Sequence, residues 1–284
     1  MRKALVVRAG SAIGRALIEK LVAQGTETVA FSGSDRKLGR MKETYAQVPG
    51  FHTVSGKARN ADDLALAAEG VDVIFYGVYL TYDDKPEAVN RITRAVVDVA
   101  ARTGAKVVRI EGNYCPIEDS SHMDGPNMLR IQSPELYGAF AKNTFVHYTL
   151  KKIAQAKPVN LPGRPSAQRE YLYIPDAASR IIDLASRDSA FGGSWKLNSG
   201  ATISVERLAA IAGEAVGIQP HLKPIGGWKL RLLYRFDRRA SQLLNRYEGI
   251  DQQIPDNSLA YDGYAPVTPY EIGIAETIRG MLAK

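Results

Sequence analysis

The chain has 284 residues, 45% of them hydrophobic, which is enough for one large domain or a domain with a small appendage. No apolar stretch approaches the ~20 residues of a membrane span, so no membrane partner is expected. Arg8 interrupts the first apolar run too early for a secretory signal. A single cysteine, Cys115, excludes an internal disulfide and is typical of a cytoplasmic protein.

The net charge of +7 comes mostly from one stretch, in which seven basic residues between Lys223 and Arg246 face Asp237 alone. Apolar residues recur there at every fourth position, at Trp228, Leu232, Phe236 and Ala240. The pattern predicts an amphipathic helix over 228–245 with a cationic outer face. This face is either an ordinary solvated surface or a site for an anionic substrate or partner. Nucleic acid is not expected, because the basic residues are confined to one element and no nucleic-acid module is present.

Strand-like and helix-like patterns alternate through residue 112. The predicted strands are 3–7, 27–31, 52–55, 72–77 and 106–110, and the predicted helices are 12–24, 36–46, 61–69 and 86–103. Alternation on this scale predicts right-handed βαβ crossovers and a parallel sheet of six or seven strands, covered by helices on both faces. Further helices are predicted at 143–155, 175–186, 204–216, 228–245 and 268–283, and a further strand at 194–198.

The first strand, turn and helix, "KALVVRAGSAIGRALIEKLVAQG" (3–25), are typical of a unit that holds a dinucleotide. The helix repeats apolar residues at Ile13, Leu17 and Leu21 and stops at Gly25. A turn of this kind points free backbone N–H groups at a pyrophosphate, and its glycines allow the phosphates to approach closely.

This turn resembles the GxxGxxG turn of short-chain dehydrogenase/reductase proteins, especially the extended and atypical epimerase-like branch. Similar segments follow in the family's order at 70–78, 169–185, 192–217 and 265–282. The resemblance implies a Rossmann-type α/β fold, a doubly wound parallel sheet with a small C-terminal substrate lobe. Residues 1–160 would form the dinucleotide-binding core, and residues 161–284 would supply the remaining sheet elements and the lobe within one integrated domain.

The resemblance also implies which residues meet the cofactor. They are Arg8, Gly10, Ser11, Ala12, Ile13 and Gly14 in the turn, Ser32 and Arg36 near the adenosine ribose, and Gly77 and Val78 at the end of the fourth strand. Arg8 and Ser11 replace the first two glycines of the motif, and Gly14 keeps the third. An arginine cannot adopt positive φ without cost, and its side chain would either fill the phosphate site or pair with a phosphate. The alternative is a turn kept for packing alone, with cofactor binding lost.

The loop "FSGSDRK" (31–37) follows the second strand, where an acid favours NAD and basic or hydroxyl residues tolerate the 2′-phosphate of NADP. Ser32, Ser34, Arg36 and Lys37 favour NADP over NAD, although an ordinary polar loop explains them equally well. Family members often carry Gly-Asp after the third strand, but this chain has Gly56-Lys57. Asp62 and Asp63 are expected to cap the next helix rather than to replace the missing acid.

Family members that transfer hydride use a Tyr and a Lys four residues apart on a helix, so that the ammonium lowers the pKa of the phenol. After the fifth strand, Asn113 and Tyr114 stand where the family often has Asn-x-Tyr, although the two residues are adjacent in this chain. "MLRIQSPELYG" (128–138) resembles the sixth strand, which leaves only sixteen residues (112–127) before it. We therefore expect the Tyr-Lys helix to be missing. The alternative is that Tyr148 and Lys152, which have the right spacing, are the catalytic pair.

Three functions are compatible with the sequence. The first is an NADP-preferring oxidoreductase or epimerase-like enzyme that acts on a small organic substrate. The second is a non-redox isomerase, cyclase or lyase on the same scaffold, with Glu111, Asn113 and Tyr114 near the reaction. The third is a non-catalytic sensor of a dinucleotide or metabolite. Many tyrosines fall near strand ends, where they either line an aromatic substrate pocket or pack in the core.

The four histidines are scattered without metal-ligand spacing, so no metal site is predicted. A homodimer is possible because family members often pair through helices that flank the sheet.

Overall fold

The computed structural model describes residues 1–114, 125–225, 258–265 and 267–283. The predicted basic helix at 228–245 and Cys115 lie outside these ranges. Within the described parts, no helix is both long and apolar enough to cross a membrane.

The first half of the chain alternates strands and helices as the sequence predicts. The elements are β1 (Lys3–Val7), α1 (Ala12–Ala23), β2 (Glu27–Ser32), α2 (Asp35–Thr44), β3 (Phe51–Ser55), α3 (Ala61–Ala67), β4 (Val73–Val78), α4 (Pro86–Thr103), β5 (Lys106–Glu111) and β6 (Met128–Gln132). All nine predicted elements of this half are confirmed to within about two residues, because their apolar periodicity is strong and most end at glycine or capping residues.

The second half has shorter strands. Its elements are β7 (Glu135–Tyr137), α5 (Phe145–Ala154), β8 (Val159–Pro162), β9 (Gln168–Arg169), β10 (Tyr171–Tyr173), α6 (Ile174–Ala185), β11 (Ser194–Lys196), β12 (Ile203–Ser204), α7 (Val205–Val216), β13 (Leu222–Ile225), β14 (Leu259–Ala260) and α8 (Tyr270–Leu282). Four of the five helices predicted here are confirmed, and the fifth lies outside the described residues.

Two compact units are assembled from separate stretches of the chain. Unit 1 lies within Met1–Ser133, Ile174–Leu197 and Ser258–Pro266, and unit 2 lies within Pro134–Tyr173, Asn198–Asn257 and Val267–Lys284. A boundary near residue 160 stays a prediction from the sequence.

Unit 1 is an α/β sandwich around a parallel sheet of eight described strands in the order β14-β11-β6-β5-β4-β1-β2-β3. The prediction of six or seven strands is slightly low, since the two-residue β14 extends the edge. The chain runs outward from β1 to β3 on one side and returns to β4 on the other side of β1. The order of strands therefore reverses between β1 and β4, the point where open α/β sheets bind ligands beyond the carboxyl ends of their strands.

Unit 2 packs three helices around its own apolar core. Residues of α5, α7 and α8 form one buried cluster, and the unit also contains the strand pairs β7–β10, β9–β12 and β8–β13. The segment 128–138, predicted as one sixth strand, is divided here: β6 joins the main sheet beside β5, and β7 pairs with β10 in unit 2. Ser133 and Pro134 separate the two strands, and proline ends a strand readily because it lacks an N–H donor.

Candidate functional site

The turn between β1 and α1 lies at the reversal of strand order. Ser11 is the N-cap of α1, and its hydroxyl accepts a hydrogen bond from the Gly14 backbone N–H at 3.1 Å. A Cβ at Gly14 would lie 2.9 Å from the carbonyl oxygens of Arg8 and Ala9, so only glycine lets the helix lie this close to the turn. The start of α1 therefore keeps both the cap and the close backbone approach of an anion-binding helix N-terminus.

Arg8 adopts the conformation of the glycine that it replaces. Its φ is 59°, in the left-handed region that disfavours residues with a side chain. Tyr79, just after β4, has a φ of 53°, so strained residues follow both strands that border the reversal point. Strain of this kind clusters at functional sites, where surrounding contacts hold it in place.

The Arg8 side chain crosses from the end of β1 to the end of β4. One guanidinium nitrogen donates to the carbonyl oxygen of Gly77 at 3.2 Å, and the other lies 2.9 Å from Oδ1 of Asp84. Asp84 was not predicted from the sequence, since an acid in the polar loop after β4 carries no motif. The two predictions for the Arg8 side chain, that it fills the phosphate site or pairs with a phosphate, did not include this pairing with a carboxylate.

The other predicted turn residues lie beside this ion pair. Lys37, on α2, extends over Gly10 and donates to its carbonyl oxygen at 3.3 Å, and its side chain fills the space that a Cβ at Gly10 would need. Ala12 and Ile13 form the first turn of α1, and Ile13 is buried. Val78 is buried at the end of β4, where its carbonyl accepts from Gly112 at 3.1 Å.

The predicted ribose site lies on the opposite side of β1, at the end of β2. Ser32 is almost buried, and its hydroxyl accepts a hydrogen bond from the Ser34 backbone N–H at 3.3 Å. Arg36 is exposed in the first turn of α2. Asp35 accepts a hydrogen bond from the Ser55 hydroxyl at 2.6 Å, which ties this carboxylate to β3.

The expected capping roles of Asp62 and Asp63 are wrong. Asn60 is the N-cap of α3, and its side chain accepts from the Asp62 backbone N–H at 3.0 Å. Asp63 instead accepts from the backbone N–H of Lys57 at 2.8 Å, after β3. Asparagine is as good a cap as aspartate and stands directly before the helix, so it takes the position.

Asn113 and Tyr114 follow β5 at the same edge of the sheet. Tyr114 is fully buried, its backbone N–H donates to the carbonyl oxygen of Tyr79 at 3.3 Å, and its ring meets Tyr82 edge-on with centroids 6.4 Å apart. Burial, followed by the neighbouring charge of Asp83, raises the pKa of the Tyr82 phenol. Asn113 is exposed. The predicted tyrosine is thus held beside the end of β4.

The connection from β5 to β6 is limited to the sixteen residues 112–127, and their sequence contains no lysine. A Tyr-x-x-x-Lys pair therefore cannot occur between these strands. β4, β5 and β6 follow one another in one direction along the sheet, so a helix that joined β5 to β6 by a right-handed crossover would lie on the face that α4 covers. A Tyr-Lys helix would lie on that face of β5 and β6.

On the sheet face that α4 covers, β5 and β6 carry charged side chains. Arg109 on β5 and Arg130 on β6 are register partners, and Glu111 lies between them, with Nε of Arg109 at 2.6 Å and a terminal nitrogen of Arg130 at 3.1 Å. Arg109 and Glu111 are buried, with side chains 6% and 4% exposed. The Arg109 Nε–H does not point at the carboxylate, so this contact is ionic without a hydrogen bond. We call these three residues the charged triad.

Tyr76 completes the same face. It is the register partner of Arg109 on β4, and its phenol lies beside Thr93 of α4. Burial raises the pKa of Tyr76 to about 12, and the nearby guanidinium of Arg109 opposes this rise. Tyr76 therefore stays protonated at neutral pH. Sequence reasoning placed Glu111 near the reaction but missed both arginines; charged residues inside the short strands "KVVRIE" and "MLRIQ" are the signal that could have found them.

Tyr148 and Lys152 lie on α5 in unit 2, after the sixth strand. The Lys152 ammonium lies 5.6 Å from the centre of the Tyr148 ring, so both side chains share one helix face, as their spacing predicts. Tyr148 packs against the apolar core of unit 2. This contact gives the tyrosine a structural role that does not depend on catalysis.

Known proteins match this chain in part of its sequence and in its fold. Residues 9–121 match a family model described as NAD(P)H-binding. No curated protein matches the sequence.

Several solved structures share the architecture over nearly the whole chain. UDP-glucuronic acid 4-epimerase from Bacillus cereus in complex with NAD is 14% identical, with 99% of both chains covered and a TM-score of 0.72. dTDP-glucose 4,6-dehydratase from Bacillus anthracis in complex with NAD is 12% identical, with 100% of this chain and 97% of that one covered and a TM-score of 0.69. A dTDP-glucose 4,6-dehydratase double mutant from Streptomyces venezuelae with NAD bound is 16% identical, with 99% and 96% covered and a TM-score of 0.69.

At these identities the solved structures establish the fold, and the family model begins at Ala9, after β1, and includes α1 to β5. The resemblance seen in the sequence is confirmed at this level. Residues 9–121 thus match the NAD(P)H-binding family model, and the chain has a Rossmann-type α/β fold like that of the epimerase and dehydratase structures solved with NAD.

Proposed function

We propose that this chain binds NADP across Gly10–Gly14 and acts as an oxidoreductase or epimerase-like enzyme on a small organic substrate. The observation that carries the proposal is the start of α1, where the Ser11 cap and the close approach of Gly14 are kept at the reversal of strand order. The N-terminus of a helix offers free N–H groups and a positive dipole end to a pyrophosphate.

The residues present fit the adenosine half of the cofactor well. The side chain nearest to Gly10 is that of Lys37, whose flexible end can move aside and add a cation for the phosphates. Ser32 and Arg36 lie at and just after the end of β2, where proteins of this fold contact the adenosine ribose of the cofactor. When bound, the cofactor would accept a hydride in its oxidised form, NADP⁺, and donate one in its reduced form, NADPH, and the chain's part is to orient the dinucleotide and the substrate at the carboxyl edge of the sheet.

The preference for NADP over NAD rests on the first turn of α2. Arg36 and Lys37 are cations there, and the carboxylate of Asp35 accepts a hydrogen bond from the hydroxyl of Ser55. A guanidinium binds a 2′-phosphate by charge-assisted hydrogen bonds, whereas NAD offers it only a neutral hydroxyl.

Replacing Arg36 with Ala is expected to weaken NADPH binding by about 1–3 kcal/mol and to leave NADH binding nearly unchanged. Titration of nucleotide fluorescence measures both affinities. Arg40→Ala is the matched control, since Arg40 is exposed on the same helix one turn farther from β2. Equal affinities of the unaltered protein for NADPH and NADH would reject the ribose-site assignment.

A second candidate function is non-redox chemistry, or sensing without turnover, on the same scaffold. It is favoured by the absence of lysine from residues 112–127 and by the Arg8–Asp84 pair at the turn. The substrate would be a small molecule, anionic or aromatic, and a homodimer stays a prediction. NADPH that is never oxidised by a carbonyl substrate, together with bound NADP⁺ that supports no epimerisation or dehydration of a nucleotide sugar, would favour this candidate over the first.

A further inference from the structure

We propose that the Arg8–Asp84 ion pair selects ligands by closing the nicotinamide side of the crevice while leaving the adenosine side open. The proposal rests on the dinucleotide site described above. According to this proposal, the ion pair weakens the binding of complete dinucleotides but not the binding of adenosine fragments.

The pair lies directly across the reversal of strand order. Arg8 follows β1, and its guanidinium reaches the carbonyl of Gly77 on β4 as well as the carboxylate of Asp84. A dinucleotide that extends from β2 past β1 toward β4 must pass this point, because ligands of open α/β sheets lie in the crevice between these strands. The guanidinium therefore stands where the second half of a dinucleotide would go.

Burial of Asp84 holds the pair closed. The Asp84 side chain is only 9% exposed, whereas that of Arg8 is 35% exposed. Oδ1 faces Arg8, and Oδ2 is buried without a hydrogen-bond partner. If Arg8 turned to a phosphate, the carboxylate would remain buried without its counter-charge, which is strongly unfavourable.

The two charges of the pair also cancel toward an incoming anion. Oδ1 of Asp84 lies 2.9 Å from the guanidinium, so repulsion from this carboxylate offsets part of the attraction between Arg8 and an approaching phosphate. Removing the charge of Asp84 would release the cation for the ligand. Neutralising this one carboxylate would therefore turn Arg8 from an obstacle to the dinucleotide into a binding partner for its phosphate.

The adenosine side is free of this penalty. Gly10–Gly14, Ser32 and Arg36 lie at β1 and β2, and β2 neighbours β1 on the side away from β4. Adenosine 2′,5′-bisphosphate carries the ribose phosphate of NADP but has no nicotinamide half. Its affinity should therefore not depend on the ion pair.

The test compares the binding of NADPH and adenosine 2′,5′-bisphosphate by isothermal titration calorimetry. Asp84→Asn, which keeps the shape of the side chain, is expected to bind NADPH at least about tenfold more tightly than the unaltered protein. Its affinity for the bisphosphate should stay within about twofold. The double variant Arg8→Gly with Asp84→Asn should also bind NADPH more tightly, because it restores glycine at the strained position and leaves no buried charge.

Asp98→Asn is the matched control, since Asp98 forms an exposed ion pair with Arg102 on α4 and should change neither affinity. NADPH binding that is unchanged or weaker in both Asp84 variants, with the bisphosphate still bound, would overturn the ion-pair proposal and leave the cofactor site standing. Failure of the unaltered protein and every variant to bind either ligand would overturn the proposed function, and the ion-pair proposal with it.

Discussion

Replacing Glu111 with Ala is expected to lower the free energy of unfolding by about 3–5 kcal/mol. Glu111 is the carboxylate of the charged triad, and its removal leaves the buried guanidinium of Arg109 without its counter-ion. The Arg130 side chain, 13% exposed, loses the same partner. Urea denaturation followed by circular dichroism measures the loss.

The exposed pair of Asp98 and Arg102 supplies the control for this prediction. Both side chains are about half exposed, so Asp98→Ala is expected to cost no more than about 0.5 kcal/mol. Exchanging all three triad residues for apolar ones of similar size should recover most of the stability that Glu111→Ala loses. A loss below about 1 kcal/mol in Glu111→Ala would show that the carboxylate does not balance the two arginines.

Replacing Tyr114 with Phe is expected to lower turnover by about 10²–10⁴-fold, the usual effect of removing a general acid. A phenol ordinarily has a pKa near 10, so it is protonated at neutral pH and serves better as a hydrogen-bond donor or acid than as a base. No lysine lies between β5 and β6 to change this. Reduction of simple carbonyl compounds should therefore be slow even when NADPH binds.

The control variants for Tyr114 are Tyr148→Phe and Lys152→Ala on α5. Both are expected to keep turnover and NADPH affinity within about twofold, because Tyr148 packs in the core of unit 2 and neither residue lies between β5 and β6. Turnover is measured as NADPH oxidation with a carbonyl substrate, or as product formation from a nucleotide sugar with NADP⁺, whichever reaction the unaltered protein catalyses. Loss of activity in Tyr148→Phe, with Tyr114→Phe unaffected, would restore the ordinary Tyr-Lys mechanism on α5.

The strands next to the predicted loss of the Tyr-Lys helix carry unusual side chains. A connection of sixteen residues joins β5 to β6, and these strands carry Arg109, Glu111 and Arg130 on the same face. Strands covered on both faces by helices are normally apolar throughout. The charged triad departs from this pattern, and the loss of the Tyr-Lys helix stays a prediction from the sequence.

The amino-acid sequence by itself determined most of the architecture of unit 1. Apolar periodicity and turn residues predict each strand and helix up to residue 111, and short connections leave little freedom in how successive βαβ units join. The Ser11 cap and the need for Gly14 were also predictable, because both depend on residues within one turn of the chain.

Only the tertiary structure decided the partners of the charged residues. Arg8 and Asp84 are 76 residues apart and meet because β1 and β4 are neighbours, and Arg109 meets Arg130 through the register of β5 and β6. The division of 128–138 between two units likewise depends on long-range pairing of β7 with β10. Local propensity fixes where strands and helices form, but contacts across the sheet arise from strand order and register, which no short stretch of sequence encodes.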